Sequence, residues 1–200
     1  MNDFTEPDKV ARLLHDLPCR WGVAGGWALD LFLDRVTRKH QDIEVAIFRE
    51  DQLILREYLS SRGWSFEFVR DGQLFPWPAG DSLELPVHEI WCRISTGPLR
   101  RLEVLLNERR ENEFVFRRDS RVVAAIDRGF VHAKGGIPVL APEIVLLYKS
   151  KRPSEAKEQL DFSNMLNALD SERRHWLIES IGLVHPGHEW LGPLESLDST

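Results

Sequence analysis

Two acids in the run Asp42-Ile43-Glu44-Val45 and the glycine pair Gly25-Gly26 are the residues here whose types and spacing could do chemistry. A strand turns alternate side chains to opposite faces, so Asp42 and Glu44 share one face while Ile43 and Val45 take the other. Adjacent carboxylates repel and must be solvated, share a proton or hold a cation; a hard divalent ion is the natural third party. Glycines lack Cβ and let backbone N–H groups approach an anion, and a helix starting just after them aims its positive end at the same place. The expectation is a cation site beside a phosphate cradle.

The elements that must position these groups follow from the pattern of apolar residues. A short apolar strand from Trp21 ends at the glycines, a helix follows from about Trp27 to Leu33, and a polar connection through Arg38 and His40 leads to a second strand holding the acids. On that helix Asp30 is expected on the solvated face. An opening helix spans Glu6 to Leu17 and stops before Pro18; another spans Asp51 to Arg62, with Gly63 as its C-cap. Strands are expected over Trp64 to Val69, Val87 to Ile94, Leu99 to Asn107 and Arg121 to Ala125. The turn-rich span Asp71 to Pro86 reads as a long loop, either a substrate-facing insertion or an irregular surface connection.

Glu103 lies among Leu102, Val104, Leu105 and Leu106, where a carboxylate needs a partner. Gly135-Gly136-Ile137-Pro138 is a break. Beyond it Ala141 to Lys151, Glu155 to Leu169 and Glu172 to Leu183 have helical spacing. The chain thus divides near Leu140 into residues 1–140, an α/β unit, and residues 141–200, a small helical unit.

Composition sets the class. With 42% apolar and 29% charged residues, 200 residues can bury a real core. The net charge of −6 disfavours a nucleic-acid coat and favours a cationic or metal-accompanied ligand. Cys19 and Cys92 are far apart and show neither disulfide-framework nor zinc-ribbon spacing. An acidic start and the lack of a long apolar run make a cytoplasmic protein with no membrane partner the expectation.

Glycine pair, helix, Thr37, Arg38, His40, Asp42 and Glu44 in this order resemble the nucleotidyltransferase superfamily of the DNA polymerase β type. More narrowly, GGWALDLFLDRVTRKHQDIEVAI is similar to the 2''-type aminoglycoside and the lincosamide nucleotidyltransferases. The likeness continues through Leu140-Ala141-Pro142-Glu143, Lys149, Lys157 and Asp161-Phe162. It implies an α/β (α+β) fold, a mixed sheet flanked by helices, with a small C-terminal helical domain. It also implies transfer of a nucleoside monophosphate from a nucleoside triphosphate, ATP being the expected one, to a hydroxyl of a small-molecule acceptor, with magnesium as cofactor.

By that resemblance Asp42 and Glu44 are metal ligands, and Glu103 is the third carboxylate, preferred over Glu84, Glu89 and Glu108 because these have polar or loop settings. Gly25, Gly26, Arg38, His40 and Lys149 are the nucleotide-binding candidates. Glu44 stands where the family often has Asp, and its extra methylene could shift a metal that demands tight octahedral geometry. Blander readings stand beside these: Arg38 and His40 as solvated loop residues, Lys149 and Lys157 as surface charges, Trp91 and Trp176 as core or boundary aromatics, and His185, His188 and Trp190 as structural rather than zinc-binding. Two rival functions are a toxin-type nucleotidyltransferase acting on tRNA or protein, and an inactive nucleotide-binding module.

Overall fold

β-Branched and leucine-rich runs make strands through the first 140 residues, and leucines at helical spacing take over after Pro142. The structure, a computed structural model, describes residues 3–198. The strands are β1 (Trp21–Val23), β2 (Glu44–Phe48), β3 (Ser65–Arg70), β4 (Gln73–Pro76), β5 (Glu89–Arg93), β6 (Arg101–Arg110), β7 (Glu113–Val115), β8 (Val123–Ala125), β9 (Phe130–His132) and β10 (Pro138–Leu140). The helices are α1 (Thr5–Leu13), α2 (Gly25–Leu33), α3 (Gln52–Ser60), the short α4 (Ile126–Gly129), α5 (Pro142–Lys149), α6 (Ala156–Met165), α7 (Ser171–Val184) and α8 (Leu191–Asp198).

The sheet is mixed, in the order β4-β3-β5-β6-β2-β1-β10-β9, with β7 and β8 continuing from β6. β2 runs parallel to β6 and β1 parallel to β10, and the other pairs are antiparallel. β2 reads as nearly continuous apolar sequence because both its faces are covered, Val45, Ala46, Ile47 and Phe48 all being buried, and Leu102, Val104 and Leu106 bury one face of β6 beside it. Helices α2 and α5 pack together, and α7 packs on α5. One core therefore runs from Val10 through Val45 and Ile144 to Leu194, spanning the expected boundary near Leu140.

Several elements differ from expectation. The opening helix ends at Leu13, although Leu14 and Leu17 beyond it are still buried. α2 begins on the glycines themselves rather than at Trp27. The span after Asp71 is not one loop. Asp71 and Gly72 both have positive φ, 51° and 74°, the geometry that closes a two-residue hairpin, and β4 returns along β3. The rest of the span is tied down, since Arg49 donates to the carbonyls of Leu83 at 2.9 Å and Val87 at 2.7 Å. Gly135-Gly136 forms the tip of a β9–β10 hairpin, and the strand resumes at Pro138.

Near the C-terminus His188 Nε2 lies 2.9 Å from the Ser150 carbonyl, and Trp190 stacks on Phe162 with centroids 4.3 Å apart. Trp176 donates to the Val123 carbonyl at 2.8 Å. Among the described residues no helix is long and apolar enough to cross a membrane.

Candidate functional site

Backbone bonds fix the glycine pair beside the first acids. The Ala24 N–H donates to the Glu44 carbonyl at 2.8 Å, the Trp27 indole N–H donates to the Asp42 carbonyl at 3.1 Å, and the Glu103 N–H donates to the Ile43 carbonyl at 3.1 Å. Parallel pairing then sets Glu44 directly against Glu103 in register, so the two side chains rise from the same face of the sheet. Asp42 is exposed and lies just before β2 rather than in it, two residues from Glu44.

Glycine is required at both positions of the pair. Gly25 has φ +60°, in the left-handed region, and a Cβ there would overlap the Glu44 carboxylate; one on Gly26 would meet the Arg38 guanidinium and lie 2.6 Å from the His40 ring. A carboxylate, a guanidinium and an imidazole therefore converge on the uncapped start of α2, whose N-cap is Ala24. The positive end of the helix favours the carboxylate there.

Electrostatics at this point are unusual. Burial pushes the Glu44 carboxyl up to about 7, and Asp42 and Glu103 push the same way while Lys149 opposes them. Burial also raises Glu103, against the hydrogen bond from Arg101, with Asp42 adding to the rise. Glu89 acts on both acids in the same sense. Glu89 lies in β5, within the strand expected over Val87 to Ile94, and accepts from the Trp91 indole at 2.5 Å.

Oxygen donors from Asp42, Glu44 and Glu103 are of the kind a hard divalent cation takes, and their repulsion is what a cation would relieve. As the side chains stand they are not gathered: among the described residues no group of three or more His, Cys, Asp or Glu forms a metal site. Glu103 is instead paired with Arg101, and the Glu44 carboxylate lies close against Gly25.

Asp30 corrects the sequence reading outright. It is 1% exposed, not solvated; its Oδ1 accepts from the Thr37 hydroxyl and its Oδ2 faces His40 Nε2, each at 2.6 Å. The His40 ring also lies on Trp27, centroids 4.2 Å apart. A signal existed in the sequence: Asp30 is four residues after Gly26, and that spacing puts both on one face of α2. Arg38 and His40 are likewise not loose loop residues. Arg38 grips Asp161 with two bonds of 2.8 and 2.9 Å, and Lys149 meets the same carboxylate at 2.9 Å and Glu158 at 2.5 Å. Lys157 is 59% exposed and lies 3.7 Å from Glu155 and 3.8 Å from Glu158.

Residues 8–73 match the model of the aminoglycoside-2''-adenylyltransferase family. Among solved structures the chain is similar to antibiotic-resistance factor ANT(2'')-Ia, with TM-score 0.59, 15% identity and 98% of each chain covered. It is similar again to ANT(2'')-Ia in complex with adenylyl-2''-tobramycin, with TM-score 0.52, 15% identity, and 98% of this chain and 95% of the other covered. A third likeness is to lincomycin-bound lincosamide antibiotic adenylyltransferase LnuA, with TM-score 0.57, 16% identity, and 82% of this chain and 96% of the other covered. No curated protein matches the sequence. The chain therefore has the nucleotidyltransferase fold, and the stretch that holds its glycine pair and first two acids carries the sequence pattern of the aminoglycoside-2''-adenylyltransferases.

Proposed function

We propose that the protein is a nucleotidyltransferase that moves a nucleoside monophosphate, with ATP as donor, to a hydroxyl of a small cationic acceptor of the aminoglycoside or lincosamide kind. The observation that carries this reading is the register pairing of Glu44 with Glu103, two residues from Asp42 and beside the glycine-started helix. The match of residues 8–73 to a family of adenylyltransferases, and the same fold around lincomycin in one neighbour and adenylyl-2''-tobramycin in another, support it.

In the reaction the acceptor oxygen bonds to the α-phosphorus, the bond from that phosphorus to the bridging oxygen breaks, and pyrophosphate leaves. Glu103 takes the acceptor proton; a carboxyl whose pKa is raised is suited to that task. Asp42, Glu44 and Glu103 would hold magnesium, which supplies charge neutralisation at the phosphate oxygens. Arg38, His40 and the N-terminus of α2 hold the phosphates, and Lys149 reaches them from α5. The chain's net charge of −6 suits a cationic acceptor rather than tRNA.

The test incubates the full chain with magnesium, each nucleoside triphosphate in turn, and a panel of aminoglycosides and lincosamides. Pyrophosphate release with at least one pair, lost in Asp42→Ala, is the expected outcome. No release with any pair overturns the reading.

A further inference from the structure

We propose that Arg101 is a resident counter-cation that holds one oxygen of the Glu103 carboxylate and competes with a divalent metal for that carboxylate. The proposal rests on the metal-ligand reading of Glu103 and adds a role for a residue which that reading does not involve.

Period-two alternation puts residues 101 and 103 of β6 on one sheet face, and the Arg101 guanidinium bonds Glu103 Oε1. Antiparallel register sets Trp91 of β5 directly opposite Glu103, and the same guanidinium lies 4.0 Å from the Trp91 ring centroid. Glu89 accepts from the indole N–H and fixes the ring plane. One cation is thus held between an indole face and a carboxylate, with one of the two carboxylate oxygens, Oε1, in use.

The two partners differ in freedom. Arg101 is 46% exposed at its side chain and can turn toward solvent, whereas Glu103 is 9% exposed and stays where the strand puts it. Exchange therefore requires motion only of the arginine, which keeps the Trp91 face as a second seat after leaving Glu103. The guanidinium offsets part of the repulsion that Asp42 and Glu89 exert on Glu103, the buried member of the acid group.

Arg93 supplies the control. It too lies over Trp91, at 5.1 Å, but its ion pair is with Glu67 at 2.9 Å. Arg101→Ala and Arg93→Ala remove the same charge from the same aromatic surface, and only the first frees Glu103. The experiment titrates the full chain with manganese alone, read by electron paramagnetic resonance, for wild type, Arg101→Ala, Arg101→Gln and Arg93→Ala. Both Arg101 variants are expected to bind manganese about fivefold more tightly, the scale of one exposed ion pair, with Arg93→Ala within about twofold of wild type.

Equal tightening in Arg93→Ala and the Arg101 variants would reduce the effect to net charge and overturn the proposal, as would no tightening in either Arg101 variant. Pyrophosphate release measured in parallel separates the two ideas: turnover with unchanged manganese affinity sinks only the role of Arg101. Manganese binding by no variant removes the metal-ligand reading itself, and the proposal with it.

Discussion

Arg38 and Asp161, 123 residues apart in the chain, form a two-pronged ion pair that joins the loop after α2 to helix α6. Asp161 is 2% exposed at its side chain and also meets Lys149, so one buried carboxylate pairs with two cations, the second of them shared with Glu158.

Removing that carboxylate should be costly. Asp161→Ala leaves Arg38 without its buried partner, and a loss of about 3 kcal/mol is expected from urea unfolding. The loss has a pH signature. Burial alone would raise the Asp161 carboxyl, but Arg38 and Lys149 outweigh it and hold it below the ordinary value of 3.8. A lowered native pKa contributes stability that is full above 3.8 and lost as pH falls through the native value. The unfolding-midpoint difference between wild type and Asp161→Asn should therefore be constant from pH 7 to about 5 and shrink below about 4. A difference that holds at pH 3 would show that the charge is not what matters.

Asp30→Ala strips the partner from both Thr37 and His40 in a nearly water-free pocket, and should cost about 2–4 kcal/mol. Asp30→Asn can still accept from one group and donate to the other, so it should cost well under half as much. Equal losses in thermal unfolding would mean that the charge, rather than the pair of hydrogen bonds, is essential.

A methyl at Gly25 meets two obstacles at once, a left-handed backbone and the Glu44 carboxylate. Gly25→Ala should lose about 1–2 kcal/mol from the backbone alone. It should also lower pyrophosphate release by at least about tenfold, because the Glu44 carboxylate oxygen, 1.7 Å from where that methyl would sit, has to move away and loses its aim. Full activity in this variant would mean that the carboxylate does not act from this place.

Glu44→Gln separates stability from chemistry. It removes a buried charge repelled by Asp42 and Glu103, so the unfolding midpoint should rise, while kcat should fall by two orders of magnitude or more, about 3 kcal/mol of barrier. A variant less stable than wild type would contradict the repulsion inferred here.

Local rules made much of this legible. An apolar setting singled out Glu103, which pairs in register with Glu44, and the helices from Pro142 onward followed from leucine spacing, whereas period-two alternation could not place Asp42, which lies just before β2. Short strands with few apolar residues escaped: β7, β9 and β10 have three residues each, too few for periodicity to speak, and they exist because a neighbour supplies hydrogen bonds. The same limit hid β4, whose pairing with β3 depends on the turn at Asp71-Gly72.

What the sequence by itself determined is the set of chemical groups and their local facing: glycines that free a helix start, acids at strand spacing, and a carboxylate embedded in leucines. Only the tertiary structure decided the partners. That Asp30 is sealed against His40, that Asp161 serves both Arg38 and Lys149, and that Arg101 meets Glu103 depend on which strands and helices lie side by side. Periodicity reports the direction of a side chain from its own backbone, whereas a buried charge is placed by whatever opposite charge the fold brings within hydrogen-bond reach, and that group can lie more than a hundred residues away.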